Sequence, residues 1–270
     1  MSAPVRYTCL DLFLNFAQTR VALKQIILTT TEEETTPYNS KFGGFPYLPS
    51  DMDFPLSADG EMLTLLAQLN FAELPHLPHF PSEGILQFFC LDDDFTGVDY
   101  DNPTQQSKFR VFFHSPPYLP LDALHQPTER ADLSIYWPFR KQEYRLTGTL
   151  RDSLPNILHF QFQLILDAFV ENCADAGQNF TSDDVDAMVD DYCVYIASKR
   201  CHTIGGYTNF VEADPRMYNS KFEPYTVNLL QIGSVGDIYV SECGIASFLI
   251  KPDKLDAKDF TDVLYIIDSS

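Results

Sequence analysis

Two Gly-Gly dipeptides, each beside a basic or titratable side chain, are the first places in this chain where chemistry could be done. Gly43-Gly44 follows Lys41, and Gly205-Gly206 follows His202. Glycine reaches positive φ at no steric cost, so such a pair can aim successive backbone N–H groups at an anion. Lys41 and His202 would add a charge or a proton beside them. Gln68 and Gln231 each end an apolar run, and Arg216 closes the segment Glu212-Ala213-Asp214-Pro215-Arg216. Lys41, Gly43, Gly44, Gln68, His202, Gly205, Gly206, Arg216 and Gln231 therefore form the candidate ligand-binding set. The same residues also have a scaffold reading. Gly-Gly is common turn punctuation, and a glutamine inside an apolar strand usually satisfies loop backbone groups.

Sharper chemistries find little support. The chain has no G-x-x-x-x-G-K-[ST], no G-x-G-x-x-G and no G-x-S-x-G. Cys201 and His202 are chain neighbours, a placement that rarely gives the geometry of a Cys–His dyad. Asp92-Asp93-Asp94-Phe95-Thr96-Gly97 echoes the start of a calcium loop, but its twelfth position is Pro103, where a bidentate Glu is required. His76 and His79, and the trio Cys193, Cys201 and His202, lack a zinc spacing. The sequence thus points to no metal and no cofactor, and it singles out no catalytic residue.

The elements that would position these residues follow from periodicity. Residues 6–18 read as a short helix and residues 21–29 as a strand. Residues 41–49, with two glycines and two prolines, read as a rigid turned segment that is neither helix nor central strand. Strands are expected at 63–70, 84–91, 109–114 and 141–149, with a Pro-rich irregular stretch over 117–130. Helices are expected at 160–173 and 182–198, the second capped by Thr181 or Ser182 and favoured by Asp183 and Asp184 at its positive end. Strands return at 227–232, 237–240, 244–250 and 263–267. Strands with helices inserted between them, not alternating with them, indicate an α+β fold.

A duplication organises the chain. Phe42-Gly43-Gly44-Phe45 matches Ile204-Gly205-Gly206-Tyr207. Leu65-Leu66-Ala67-Gln68-Leu69 matches Leu229-Leu230-Gln231-Ile232, and the Gly84-Ile85 strand matches the Gly244-Ile245 strand. The offsets are 162, 163 and 160 residues, in the same order. The expectation is a single domain over residues 1–270. It would hold two related, mainly antiparallel halves, about 20–115 and about 201–270, packed as one pseudo-twofold unit around a helical insert at about 155–200. Its two Gly-Gly turns would face each other across one cleft.

The formal charge of −20, from 38 acidic and 18 basic residues, argues against binding nucleic acid or an anionic membrane, both of which need clustered Lys and Arg. With 22 Phe and 14 Tyr there is ample apolar surface for a core. The acidity gathers at Asp92–Asp94 and over Glu171–Asp191. That is a solvated face, or one that steers a basic protein or peptide. No apolar stretch is long enough to span a membrane, and Asp11 interrupts the N-terminal apolar run, against a signal peptide. Six scattered cysteines without a C-x-x-C pair read as free thiols of a cytoplasmic protein.

The segments SKFGGFPYLP, LTLLAQLNFAELP, GILQFF and DNPTQQSKFRVFFH, followed by HTIGGY, EADPR, NLLQIGS and CGIASFLI, resemble the YwqG family, whose function is unassigned. The resemblance spans about residues 20–270. It departs from the family pattern at Thr208, at Val240-Ser241-Glu242, and at Ile267 and Ser269. It implies an α+β fold built on a duplication and supplies no catalytic residues. Two functions are expected to compete. The first is a non-enzymatic acidic binding protein for a protein or peptide, of which an inhibitor or immunity-type role is one version. The alternative is a small-ligand protein or enzyme using a cleft between the Gly-Gly repeats.

Overall fold

The computed structural model describes residues 8–126, 133–139, 143–197 and 201–269. The elements run α1 (Cys9–Arg20), β1 (Leu23–Thr31), β2 (Lys41–Gly43), β3 (Thr64–Asn70), β4 (Ile85–Cys90), β5 (Phe109–His114), β6 (Glu143–Ser153), α2 (Phe162–Asp175), α3 (Ser182–Ala197), β7 (His202–Gly205), β8 (Val227–Gly233), β9 (Ile245–Ile250), α4 (Pro252–Asp256) and β10 (Val263–Asp268). The fold is α+β, as the strand and helix pattern requires. All ten strands belong to one sheet in the order β10-β9-β8-β7-β1-β6-β2-β3-β4-β5. Every pairing is antiparallel.

The centre of the sheet is the long β1–β6 ladder, running from Leu23↔Ser153 to Thr31↔Arg145. From that ladder the order reads β7, β8, β9, β10 in one direction and β2, β3, β4, β5 in the other. The β3–β4 ladder shifts register between Leu65 and Ala67, and the β8–β9 ladder between Asn228 and Leu230. A bulge strengthens twist, and here both wings curl toward each other into a nearly closed barrel. Phe88 of β4 meets Phe248 of β9 at 4.7 Å between ring centroids, and Phe109 of β5 meets Tyr265 of β10 at 5.2 Å. The outer edge of β10 does not stay bare there, because Tyr265 N donates to Pro103 O at 2.9 Å. One large core, contributed by all ten strands, fills the barrel.

The helices make a second core outside the sheet. Phe13 of α1 touches Phe162 and Phe169 of α2 and Tyr192 of α3, with ring centroids 4.8–6.1 Å apart. Tyr192 OH donates to Pro155 O at 2.7 Å, which satisfies the hydroxyl of this fully buried ring. The expected cap of α3 is Thr181. Its Oγ1 accepts from Asp184 N, and the Asp184 carboxylate accepts from Thr181 N.

Two local expectations are corrected. Lys41–Gly43 is a short strand in the interior of the sheet, between β6 and β3, not an isolated turn. The glycines start the turn only after Phe42 has buried its ring against Phe139, stacked at 5.4 Å. Residues 237–240 are not a ladder strand. Ile238 makes only isolated bridges, to Val235 and Phe139, because the Gly236 turn at φ 64 reverses the chain too tightly for a paired strand. The expected strand start at Lys141 lies outside the described residues, and from Glu143 onward the strand is present.

Candidate functional site

The two glutamines are clamps on the Gly-Gly loops. Gln68 is fully buried and pairs in register with Lys41 and with Gln87. Its Oε1 accepts from Tyr47 N at 2.8 Å and from Gln87 Nε2 at 2.8 Å. Its Nε2 donates to Pro37 O and Asn39 O at 2.7 and 2.8 Å. Gln231 repeats the device. Its Oε1 accepts from Asn209 N at 3.2 Å, and its Nε2 donates to Asn209 O at 3.0 Å and Ser247 Oγ at 2.9 Å. Tyr47 and Asn209 are each the third residue after the second glycine. The glutamines thus hold the loop that each glycine pair turns back over the sheet. Both amides are fully used by the protein, so neither is a free ligand contact.

Lys41 and Arg216 are also committed to the scaffold. Lys41 is buried, and its Nζ donates to Thr36 O at 2.9 Å. Above Gly44 lies the Glu143 carboxylate, with Oε2 only 2.5 Å from where a Cβ would stand. A carboxylate in that position repels an anion, so this turn is no phosphate cradle. Arg216 and Asp214 form a buried pair, 2.7 Å at the closest contact. Arg216 Nη1 also donates to Tyr225 O at 3.1 Å, and its guanidinium lies 4.4 Å from the centre of the Phe160 ring.

The calcium-like loop is scaffold as well. Asp93 accepts from Gly97 N and Phe95 N and pairs with Lys108 at 3.0 Å, while Asp92 accepts from Ser134 N and Oγ. Among the described residues no cluster of three His, Cys, Asp or Glu side chains could hold a metal.

The Gly-Gly turns do not share a cleft. Gly43 sits opposite Glu143 at one end of β6, whereas Gly205 sits opposite Gln25, itself opposite Arg151. Eight residues of extended strand separate those levels, about 27 Å along β6. His202 opens β7, at the opposite end of that strand from Gly205. It is buried, packs its ring edge-on against Phe42 at 5.1 Å, and lines a hollow at the far end of β1 with Tyr144 and Asp237.

Burial holds His202 neutral and drives its pKa down to about 4. For His159, burial together with the Arg216 charge drives the pKa to about 3. Both imidazoles therefore take up protons on unfolding below the ordinary value of 6.5. Their contribution to stability is complete above that pH and is lost as the pH falls, down to about 4 for His202 and about 3 for His159. The expected slope is about 1.4 kcal/mol per pH unit per histidine. Urea titrations at near-neutral and mildly acidic pH should show this slope shrinking in His202→Gln. An unchanged slope would mean that His202 is not held neutral.

The second turn does border a real cavity, of about 520 Å³. Its walls are Leu77, Phe80, Val227 and Leu255, with Gly205 and Gly206 on one side and Lys24, Asp256 and Asn228 as polar lining. Gly205 is needed here. Its φ is +68°, and a Cβ would meet Leu77 Cδ2 at 2.5 Å and Lys24 O at 3.1 Å. The Leu77–Phe80 wall is a turn closed by Phe80 N donating to Leu77 O at 3.1 Å. Pro78 is at its second position and His79 holds φ 68° at its third, the backbone of a type II turn.

Asn228 is fully buried. Its Nδ2 donates to Gly205 O at 3.0 Å and to Thr203 Oγ1 at 3.1 Å. The carbonyl of Gly205 fixes the amide orientation, because only the NH₂ end can face it. Asn228 Oδ1 is then left buried with no hydrogen-bond partner among the described residues. Sequence reasoning missed this residue. Its one signal was a polar side chain opening the apolar run Val227-Asn228-Leu229-Leu230.

A family model described as Domain of unknown function (DUF1963) matches residues 40–269. Comparison with curated proteins finds no match to the chain. The matched span runs from the residue before Lys41 to the end of β10, taking in both glycine turns, both glutamine clamps and most of the cavity lining. The chain belongs to this family of unknown function.

Proposed function

We propose that this protein is a small-ligand binding protein whose site is the cavity beside Gly205-Gly206. The observation that carries this reading is the buried, unpartnered Oδ1 of Asn228, a residue of this mostly apolar lining. A buried acceptor without a donor costs about 1–3 kcal/mol, a cost a bound ligand can remove. A cavity of this size, mostly apolar with a few fixed polar groups, matches small-molecule sites in general. Thr226 is exposed on the cavity lining, so Thr226→Trp should block entry without disturbing the core. Ligand-observed NMR with a fragment set is expected to give hits that shift the Gly205 and Gly206 amides in the native protein and vanish in Thr226→Trp. Hits that survive the substitution would place binding elsewhere.

A second reading rests on a separate surface. Asp167, Glu171 and Asp175 of α2 and Asp183, Asp184, Asp186, Asp190 and Asp191 of α3 are all exposed, and these helices carry no Lys or Arg. Leu164 and Val194 stand among them 68% and 75% exposed. Acidic groups around exposed apolar side chains suit a basic protein or peptide, whose association they would accelerate. Association of a basic peptide should slow at least tenfold in Asp190→Lys/Asp191→Lys at low salt. Equal rates in both proteins would remove this reading.

The YwqG resemblance and the duplication belong to the same proposal. The matching strand order on either side of β1–β6, the paired bulges and the paired glutamine clamps support two repeats that exchange their first strands, β1 lying beside β7 and β6 beside β2. Thiols in place of disulfides at all six cysteines are in keeping with a reducing, cytoplasmic setting.

A further inference from the structure

Resting on the cavity reading above, we infer that the ligand is an organic cation, an apolar body carrying an ammonium or similar N–H donor. Four observations converge on it. Asn228 Oδ1 can only accept, so it asks for a donor. Asp256, on the cavity lining, makes no ion pair among the described residues. Lys24, the one Lys or Arg in the lining, is already paired with Asp152 at 2.5 Å. The net charge of −20 attracts cations and repels anions over the whole surface. The apolar walls Leu77, Phe80, Val227 and Leu255 would take the hydrocarbon part. An anionic ligand would bring its charge toward the Asp256 carboxylate with no unpaired Lys or Arg in the lining to meet it.

The test uses three probes that share one apolar body: phenylbutylammonium, phenylbutanol and phenylbutanoate, titrated into the full chain by calorimetry and amide NMR. The ammonium is expected to bind about fivefold tighter than the alcohol, the scale of one exposed charge contact, and tighter still than the carboxylate. That advantage should shrink with added salt and disappear in Asp256→Asn, whose side chain is exposed and outside the core. Binding of the carboxylate as tight as the ammonium, still abolished by Thr226→Trp, would overturn the cation assignment and leave the cavity standing. Failure of all three probes to shift the Gly205 and Gly206 amides, with fragment hits also absent there, would remove the cavity reading itself. An ammonium preference that persists unchanged in Asp256→Asn would overturn the assignment of the charge contact.

Discussion

Arg216→Ala is expected to destabilise the protein by about 3–5 kcal/mol, the range for breaking one side of a buried ion pair. The side chains of Arg216 and Asp214 are 1% and 0% exposed. The guanidinium makes Nε and Nη2 contacts to both carboxylate oxygens, at 2.7–3.2 Å. Removing the arginine leaves a buried carboxylate with only backbone partners, Phe160 N and Arg216 N. The double substitution Asp214→Ala/Arg216→Ala should cost less than the sum of the two single changes, because no charge is then stranded. Urea unfolding of the four proteins measures this cycle. A single-variant loss below about 1 kcal/mol would show that water reaches the pair, as at a surface salt bridge. Arg216→Lys should recover little, since an ammonium cannot span both carboxylate oxygens and Tyr225 O together. The effect reaches function by position. Tyr225 directly precedes Thr226, Val227 and Asn228, all of which line the cavity, so releasing Tyr225 O loosens that wall.

The second large effect is an asymmetry between the clamps. Gln68→Leu strands the buried Tyr47 N–H and one N–H of the buried Gln87 amide, and also loses the contacts to Pro37 O and Asn39 O of half-buried residues. At about 1–3 kcal/mol for each buried group left unpaired, with incomplete additivity, the expected loss is about 3–5 kcal/mol. Gln231→Leu strands Asn209 N–H and O and the Ser247 hydroxyl, but Asn209 is half-buried, so water can replace part of what is lost. Its loss should be about 1–2 kcal/mol. Chemical denaturation gives both values, and the exchange rate of the Tyr47 amide reports the first loop directly. Equal losses, or the larger one at Gln231, would contradict the clamp geometry described here.

Particular residues show how far the chain could be read before folding. The Gly-Gly turns, the strands around Gln68 and Gln231, and the Gly84 and Gly244 strand starts were visible because turn chemistry and period-two burial are local. The scaffold reading of the two glutamines, weighed against a ligand role, is the one their hydrogen bonds support. The capping of α3 by Thr181 was visible for the same reason. Lys41 was placed among ligand contacts because it sits beside a Gly-Gly turn whose backbone N–H groups could meet an anion. Its burial depends on the Thr35–Thr36 loop folding back over it, and no periodicity encodes that contact. Arg216 was assigned to the same set, although the Asp-Pro-Arg spacing that builds its ion pair was in view.

The sequence by itself determined the α+β class, eight of the ten described strands, three of the four described helices, the recurring Gly-Gly and Gln anchors, and the strongly negative net charge. These follow from side-chain pattern, backbone freedom and net charge, which are properties of short segments or of the whole composition. Only the tertiary structure decided that β1 and β6 share the centre of the sheet, that the two glycine turns lie at opposite ends of that ladder, and that Asn228 keeps a buried acceptor beside an open cavity. Those outcomes depend on which distant strands pair and in what register. Residues more than a hundred positions apart settle that choice, and the local signals that define each strand are silent on it.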